Sequence, residues 1–82
     1  MNKPIAYLRE ILEQYADNQQ LPRELMSKLE DETFATERDF VLTLNEHEIE
    51  FLNNVLPDEI NHAMEAEDFP RVQQLNEVYE LL

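Results

Sequence analysis

Apolar residues recur at intervals of three and four through most of the chain, and the interruptions of that rhythm divide it into short helices. Ile5, Leu8, Ile11, Leu12 and Tyr15 share one face, with Arg9, Glu10, Glu13 and Gln14 between them, which predicts an amphipathic first helix. Asn2 suits its cap and Pro4 its first turn. The rhythm stops at Ala16-Asp17-Asn18-Gln19-Gln20, a short polar loop. Pro22 then opens a second helix whose stripe is Leu25, Met26 and Leu29, expected to pair antiparallel with the first.

Residues 31–44 follow neither the helical nor the strand period. Phe34, Phe40, Val41 and Leu42 lie among threonines and acids, and residues 39–44 are open to a short extended segment. The signal sharpens at Asn45 and Glu48, which have the spacing of a capping box, while Leu44 and Ile49 occupy the two positions of a hydrophobic staple. A helix carrying Ile49, Phe51, Leu52, Val55 and Leu56 is predicted from here. Pro57 has no amide hydrogen and disfavours helical geometry at Leu56, so a break or kink is expected there, with a new helix starting at Pro57-Asp58-Glu59.

Ile60, Ala63 and Met64 then share one face, and Asp68 can cap a last helix with Val72, Leu75, Val78, Tyr79 and Leu82 at helical spacing. So short a connection makes the two helices double back as an αα-hairpin. The expectation is a single all-α domain over residues 1–82: a small bundle of about four to five short helices ending in that hairpin.

Ile60-Asn61-His62-Ala63-Met64, followed by Asp68, Val72 and Leu75, resembles the IDEAL domain of small Firmicute proteins, with Asn61 and His62 in place of that motif's Asp and Glu. The resemblance covers the last 23 or so residues. It implies a bacterial cytoplasmic protein whose C-terminal helical pair mediates interactions, with no catalytic residues to carry over.

Composition narrows the chemistry. The chain has no glycine, which removes phosphate-cradling loops and dinucleotide fingerprints and disfavours tight hairpins. It has no cysteine, which removes disulfides, thiolate metal sites and a thiol nucleophile. Met1 to Leu8 lacks an apolar leader core, and no window approaches the roughly 20 apolar residues of a membrane span, so a cytoplasmic protein is expected. No enzyme activity and no cofactor is expected.

Charge changes the picture most. The net charge is −13, and it is lopsided: residues 1–38 carry eight acids against five bases, whereas residues 39–82 carry eleven acids against Arg71 alone. Such a surface repels nucleic acid and anionic lipid and steers basic proteins toward it. Glu46, Glu48, Glu50, Asp58, Glu59, Glu65 and Glu67 are the candidate partner-binding acids, joined by Tyr79 and Leu82 from the apolar end of the chain. Glu59-x-x-His62 has the spacing of a carboxylate metal motif but occurs once, where such bundles need it twice.

The expected function is that of a small acidic regulator that binds and modulates, by inhibition, a basic protein partner such as a transcription or nucleic-acid-processing factor. Two alternatives stand beside it: a nucleic-acid mimic occupying the cationic site of a DNA- or RNA-binding protein, and a carboxylate metalloprotein. No direct nucleic-acid or membrane contact is expected, and a homodimer is left open.

Overall fold

The computed structural model describes residues 3–16, 19–31 and 34–82. Asn2 as a cap, and Asp17 and Asn18 of the polar loop, lie outside the described residues. Five helices follow one another: α1 (Lys3–Tyr15), α2 (Gln20–Asp31), α3 (Glu37–Val41), α4 (Glu46–Glu65) and α5 (Phe69–Leu81). The architecture is a small all-α bundle, with no strand among the described residues.

The apolar stripes meet in one core. Ile5, Leu8, Ile11 and Leu12 of α1, Leu25 and Leu29 of α2, Phe40 of α3, Leu52, Val55 and Leu56 of α4, and Leu75 and Val78 of α5 are all buried together. The helix α4 packs along α5, α1 along both α2 and α5, and α3 against α5. Arg9 in the middle of α1 reaches Glu30 near the end of α2 at 3.1 Å, while Arg23 near the start of α2 donates to the Ala16 carbonyl just past α1. Start meets end, so the first two helices run antiparallel.

Residues 39–44 do not form an extended segment. Thr36 caps α3 by accepting from the Asp39 amide at 3.2 Å, and Phe40 drops into the core, where it meets Phe34 edge-on with ring centroids 5.3 Å apart. One buried aromatic outweighs the weak helix propensity of its neighbours, because burying a Phe is worth about 1.5–3 kcal/mol. The following turn brings the chain to Asn45.

Asn45 and Glu48 form the reciprocal capping box, with both backbone-to-side-chain bonds at 2.9 Å. The helix then runs for 20 residues and passes through Pro57 without ending, contrary to the expected break. Proline removes one backbone bond and crowds the preceding turn, at a cost of about 3 kcal/mol. Leu52, Val55, Leu56 and Ala63 offset it: all four are buried, on one side and on both flanks of Pro57, and a break would pull half of that face out of register. Asn53, whose carbonyl would have received the missing bond, is exposed to water.

The α4–α5 hairpin closes through three residues. The Asp68 amide donates to the Ala63 carbonyl at 2.9 Å and the Glu67 amide to Met64 at 3.0 Å, the two bonds of a Schellman motif. Glu67 takes the left-handed conformation that motif requires, with φ of 58°. Asp68 then caps α5 by accepting from the Arg71 amide, with Pro70 in the first turn.

Candidate functional site

The candidate acids divide by environment. Glu46, Glu50, Asp58, Glu65 and Glu67 are exposed. At 100° per residue, Glu46, Glu50, Asp58 and Glu65 fall on one side of α4, opposite the buried Leu52, Leu56 and Ala63. A 20-residue helix spans about 30 Å, so these carboxylates line the long outer edge of the molecule.

Glu48 is not part of that edge. It is only 4% exposed, and both carboxylate oxygens are engaged: Lys28 Nζ lies 3.0 and 3.2 Å away, and the Asn45 amide donates to Oε1. Its place at the third position of the helix is what turns it inward, since a capping-box carboxylate must fold back over the first turn. Glu59 is half-buried and accepts from the Tyr15 hydroxyl at 3.0 Å, which ties α4 to α1. Burial raises the Tyr15 pKa above its ordinary 10.0, and the Glu59 bond and the charges of Glu59 and Asp58 push it the same way.

Arg71, the lone base of residues 39–82, is spent on internal contacts. It donates to Glu10 at 2.7 Å and to Asp68 at 3.3 Å, and its guanidinium lies 4.8 Å from the centre of the Tyr7 ring. Burial works against its charge, but the bonds to Glu10 and Asp68 prevail and hold its pKa above the usual value. Arg71 is pinned to α1, and α4 itself carries no lysine or arginine along its outer edge, where the exposed His47 stands among the carboxylates.

Two shallow hollows flank Arg71. One, of about 290 Å³, is lined by Glu10, Glu13, Gln14 and Arg71; the other, of about 220 Å³, includes Glu59, His62 and Asp68. Both open widely to solvent and fall short of the roughly 300–1,000 Å³ usual for a small-molecule site. His62 is exposed, and among the described residues no group of three or more potential ligands gathers for a metal ion.

The apolar candidates also separate. Tyr79 is exposed, whereas Leu82 is half-buried against the core. Three larger exposures stand elsewhere: Leu42, Met64 at 55% and Phe69 at 63%. Met64, which shares a face with Ile60 and Ala63 in the sequence, falls one step beyond Ile60, away from the buried Leu52, Leu56 and Ala63. Phe69 directly follows the cap residue Asp68, a position that points off the end of a helix. That placement is the signal that would have found it.

Among known proteins, a family model described as CsgA, Minor curli fiber component A, matches residues 1–82. A protein of Bacillus subtilis (strain 168) described as a Sigma-G-dependent sporulation-specific SASP protein is 40% identical over 82 residues, which is 100% of this chain and 99% of the relative. No solved structure matches. The likeness of Ile60–Met64, Asp68, Val72 and Leu75 to the IDEAL domain rests on those residues alone. With the family model and the Bacillus relative both spanning the whole chain, this protein belongs to the CsgA family.

Proposed function

We propose that this chain is a small bacterial interaction protein that docks on a basic protein partner through the outer edge of α4 and the α4–α5 turn, and restrains that partner's activity. The observation that supports this reading is the pairing of uncompensated charge with exposed apolar surface. Glu46, Glu50, Asp58, Glu65 and Glu67 are open to solvent, Arg71 is turned away from them, and Met64 lies on the same side of the helix. Like charges at this density weaken the compact state, so an opposite charge supplied from outside stabilises what the chain itself leaves repelling.

The Bacillus relative's description places its expression in sporulation, so the natural setting for a partner search is a sporulating cell. The test is affinity capture from an extract of sporulating Bacillus subtilis, with wild type beside a variant carrying Glu46→Gln, Glu50→Gln, Asp58→Asn and Glu65→Gln. A protein retained by wild type at low salt and lost with the variant supports the reading. An identical set captured by both, or no specific protein at all, overturns it.

A mimic of nucleic acid is the second reading, favoured by the run of exposed carboxylates along about 30 Å of helix. Duplex DNA should then compete with the chain for the captured protein. Lack of competition leaves the regulator alone.

A further inference from the structure

Among the described residues, five large apolar side chains stand exposed, and two of them, Met64 and Phe69, bracket the α4–α5 turn. Neither belongs to the buried core or to the partly buried residues packed against it. The hairpin closes through backbone bonds and the Asp68 cap, and Phe69 contributes nothing to either. In a Schellman motif an apolar contact commonly joins the residue after the left-handed position to the helix's last turn. Here that residue is Asp68, because the same position caps α5, so no apolar staple holds the turn and Phe69 is left facing water.

The surroundings of this pair are acidic. Glu65 and Glu67 are exposed between them, and the α4 edge continues the negative charge through Asp58 and Glu50. Glu67 also occupies a left-handed backbone position, φ 58°, which strains a residue with a Cβ. A charged side chain therefore stands at a strained position two residues before an exposed aromatic.

Resting on the interaction reading above, we propose that Met64 and Phe69 are the apolar anchor of the docking surface, and that the occupant is a basic amphipathic segment of a partner protein. Its apolar side chains cover Met64 and Phe69, and its lysines or arginines pair with Glu50, Asp58, Glu65 and Glu67. Charge selects this occupant over the others. A second copy of a chain at −13 brings ten net negative charges of its own from residues 39–82, and nucleic acid or an anionic membrane is repelled in the same way. An apolar anchor that the partner desolvates, with weaker polar contacts at its rim, is the usual form of an interface hot spot.

The test uses the full chain and two fluorescent peptides of about 18 residues, long enough to span α4. One carries lysine and leucine on opposite faces of a helix; the other has every leucine replaced by serine at unchanged charge. Anisotropy titrations are run on wild type and on Met64→Ala/Phe69→Ala, whose fold is checked by circular dichroism and is expected to be unchanged. The expected result is a Kd about tenfold lower for the leucine peptide on wild type, with that preference lost in the variant. Equal affinity for the two peptides, or a preference that survives in the variant, overturns the anchor while leaving the acidic interaction surface standing. Binding of neither peptide at low salt overturns both.

Discussion

Lys28 Nζ lies 3.0 and 3.2 Å from the two carboxylate oxygens of Glu48 and 3.1 Å from the carbonyl oxygen of Thr43, so one ammonium joins α2 to the turn that launches α4. Its three donors have three acceptors. Glu48 is in turn met by Lys28 and by the Asn45 amide, which is why a carboxylate is tolerated at 4% exposure.

Removing the cation strands a buried charge. Lys28→Met should lower the unfolding free energy by about 2–3 kcal/mol, because what is lost is the compensation of Glu48 rather than a surface ion pair. The double variant Lys28→Met/Glu48→Gln should be more stable than Lys28→Met alone, since a neutral amide can still accept from the Asn45 amide. Urea unfolding at neutral pH measures both. A single-variant loss under about 0.5 kcal/mol would mean that the pair behaves like an exposed one.

Tyr15 supplies a pH dependence of known sign. Its pKa in the folded chain is raised above 10.0, first by burial and then by Glu59 and Asp58. The neutral phenol is the form that folding favours, so its stabilisation is complete below about pH 10 and fades as the pH climbs through the folded value. Tyr15→Phe loses the bond to Glu59, costing about 1 kcal/mol at neutral pH, and should flatten the alkaline decline relative to wild type. Parallel alkaline limbs for the two proteins would contradict this.

How much was legible in the sequence depended on whether a signal was local. The capping box at Asn45 and Glu48 and the cap at Asp68 satisfy their bonds within four residues, and both are found where the spacing puts them. Residues 39–44 stay undecided in the sequence and Pro57 reads there as a break or kink, because what decides both is distant. Phe40 is helical because the core between neighbouring helices accepts its ring, and Pro57 is tolerated because α4 packs along α5 and the buried residues on both flanks of Pro57 share one core. The inward turn of Glu48 was readable from its capping role, but its ion pair with Lys28, twenty positions back, was not. Met64 lies one helical step past Ile60 at the edge of the apolar stripe, and Phe69 at the first position of α5, so neither exposure follows from periodicity alone.

Pro57→Ala isolates the cost of carrying a proline inside α4. The substitution restores an amide to the Asn53 carbonyl and relieves crowding, while making the unfolded chain more flexible. A net gain of about 1 kcal/mol is expected, read as a higher urea midpoint with unchanged slope. A destabilised variant would show that proline shapes the packing of α4 on α5 rather than being tolerated by it.

Glu67→Gly tests the strain at the turn. Glycine adopts φ of 58° without a Cβ penalty, so the variant should gain about 1 kcal/mol after its added freedom in the unfolded chain is subtracted. Thermal unfolding measures the gain. The same variant should bind the leucine peptide more weakly, because it removes one of the acids beside Phe69; stability and binding moving together would separate Glu67 from the docking surface.

Repulsion along the outer edge of α4 should also be visible without any partner. Glu46, Glu50, Asp58 and Glu65 lie within about one third of the helix circumference with no lysine or arginine among them and the exposed His47 as the basic residue on that side, so their mutual energy is unfavourable at low ionic strength and is screened as salt rises. Wild type is therefore expected to gain stability between low salt and about 0.5 M, whereas the variant with all four neutralised should start about 0.5–1 kcal/mol higher and respond less. Glu46 also sits in the first turn, where its negative charge favours the helix by a few tenths of a kcal/mol, so restoring it alone in the neutralised variant should raise stability slightly. Equal salt responses in wild type and variant would mean that the four carboxylates are too well solvated to repel, and an opposite charge would then have little to relieve on docking.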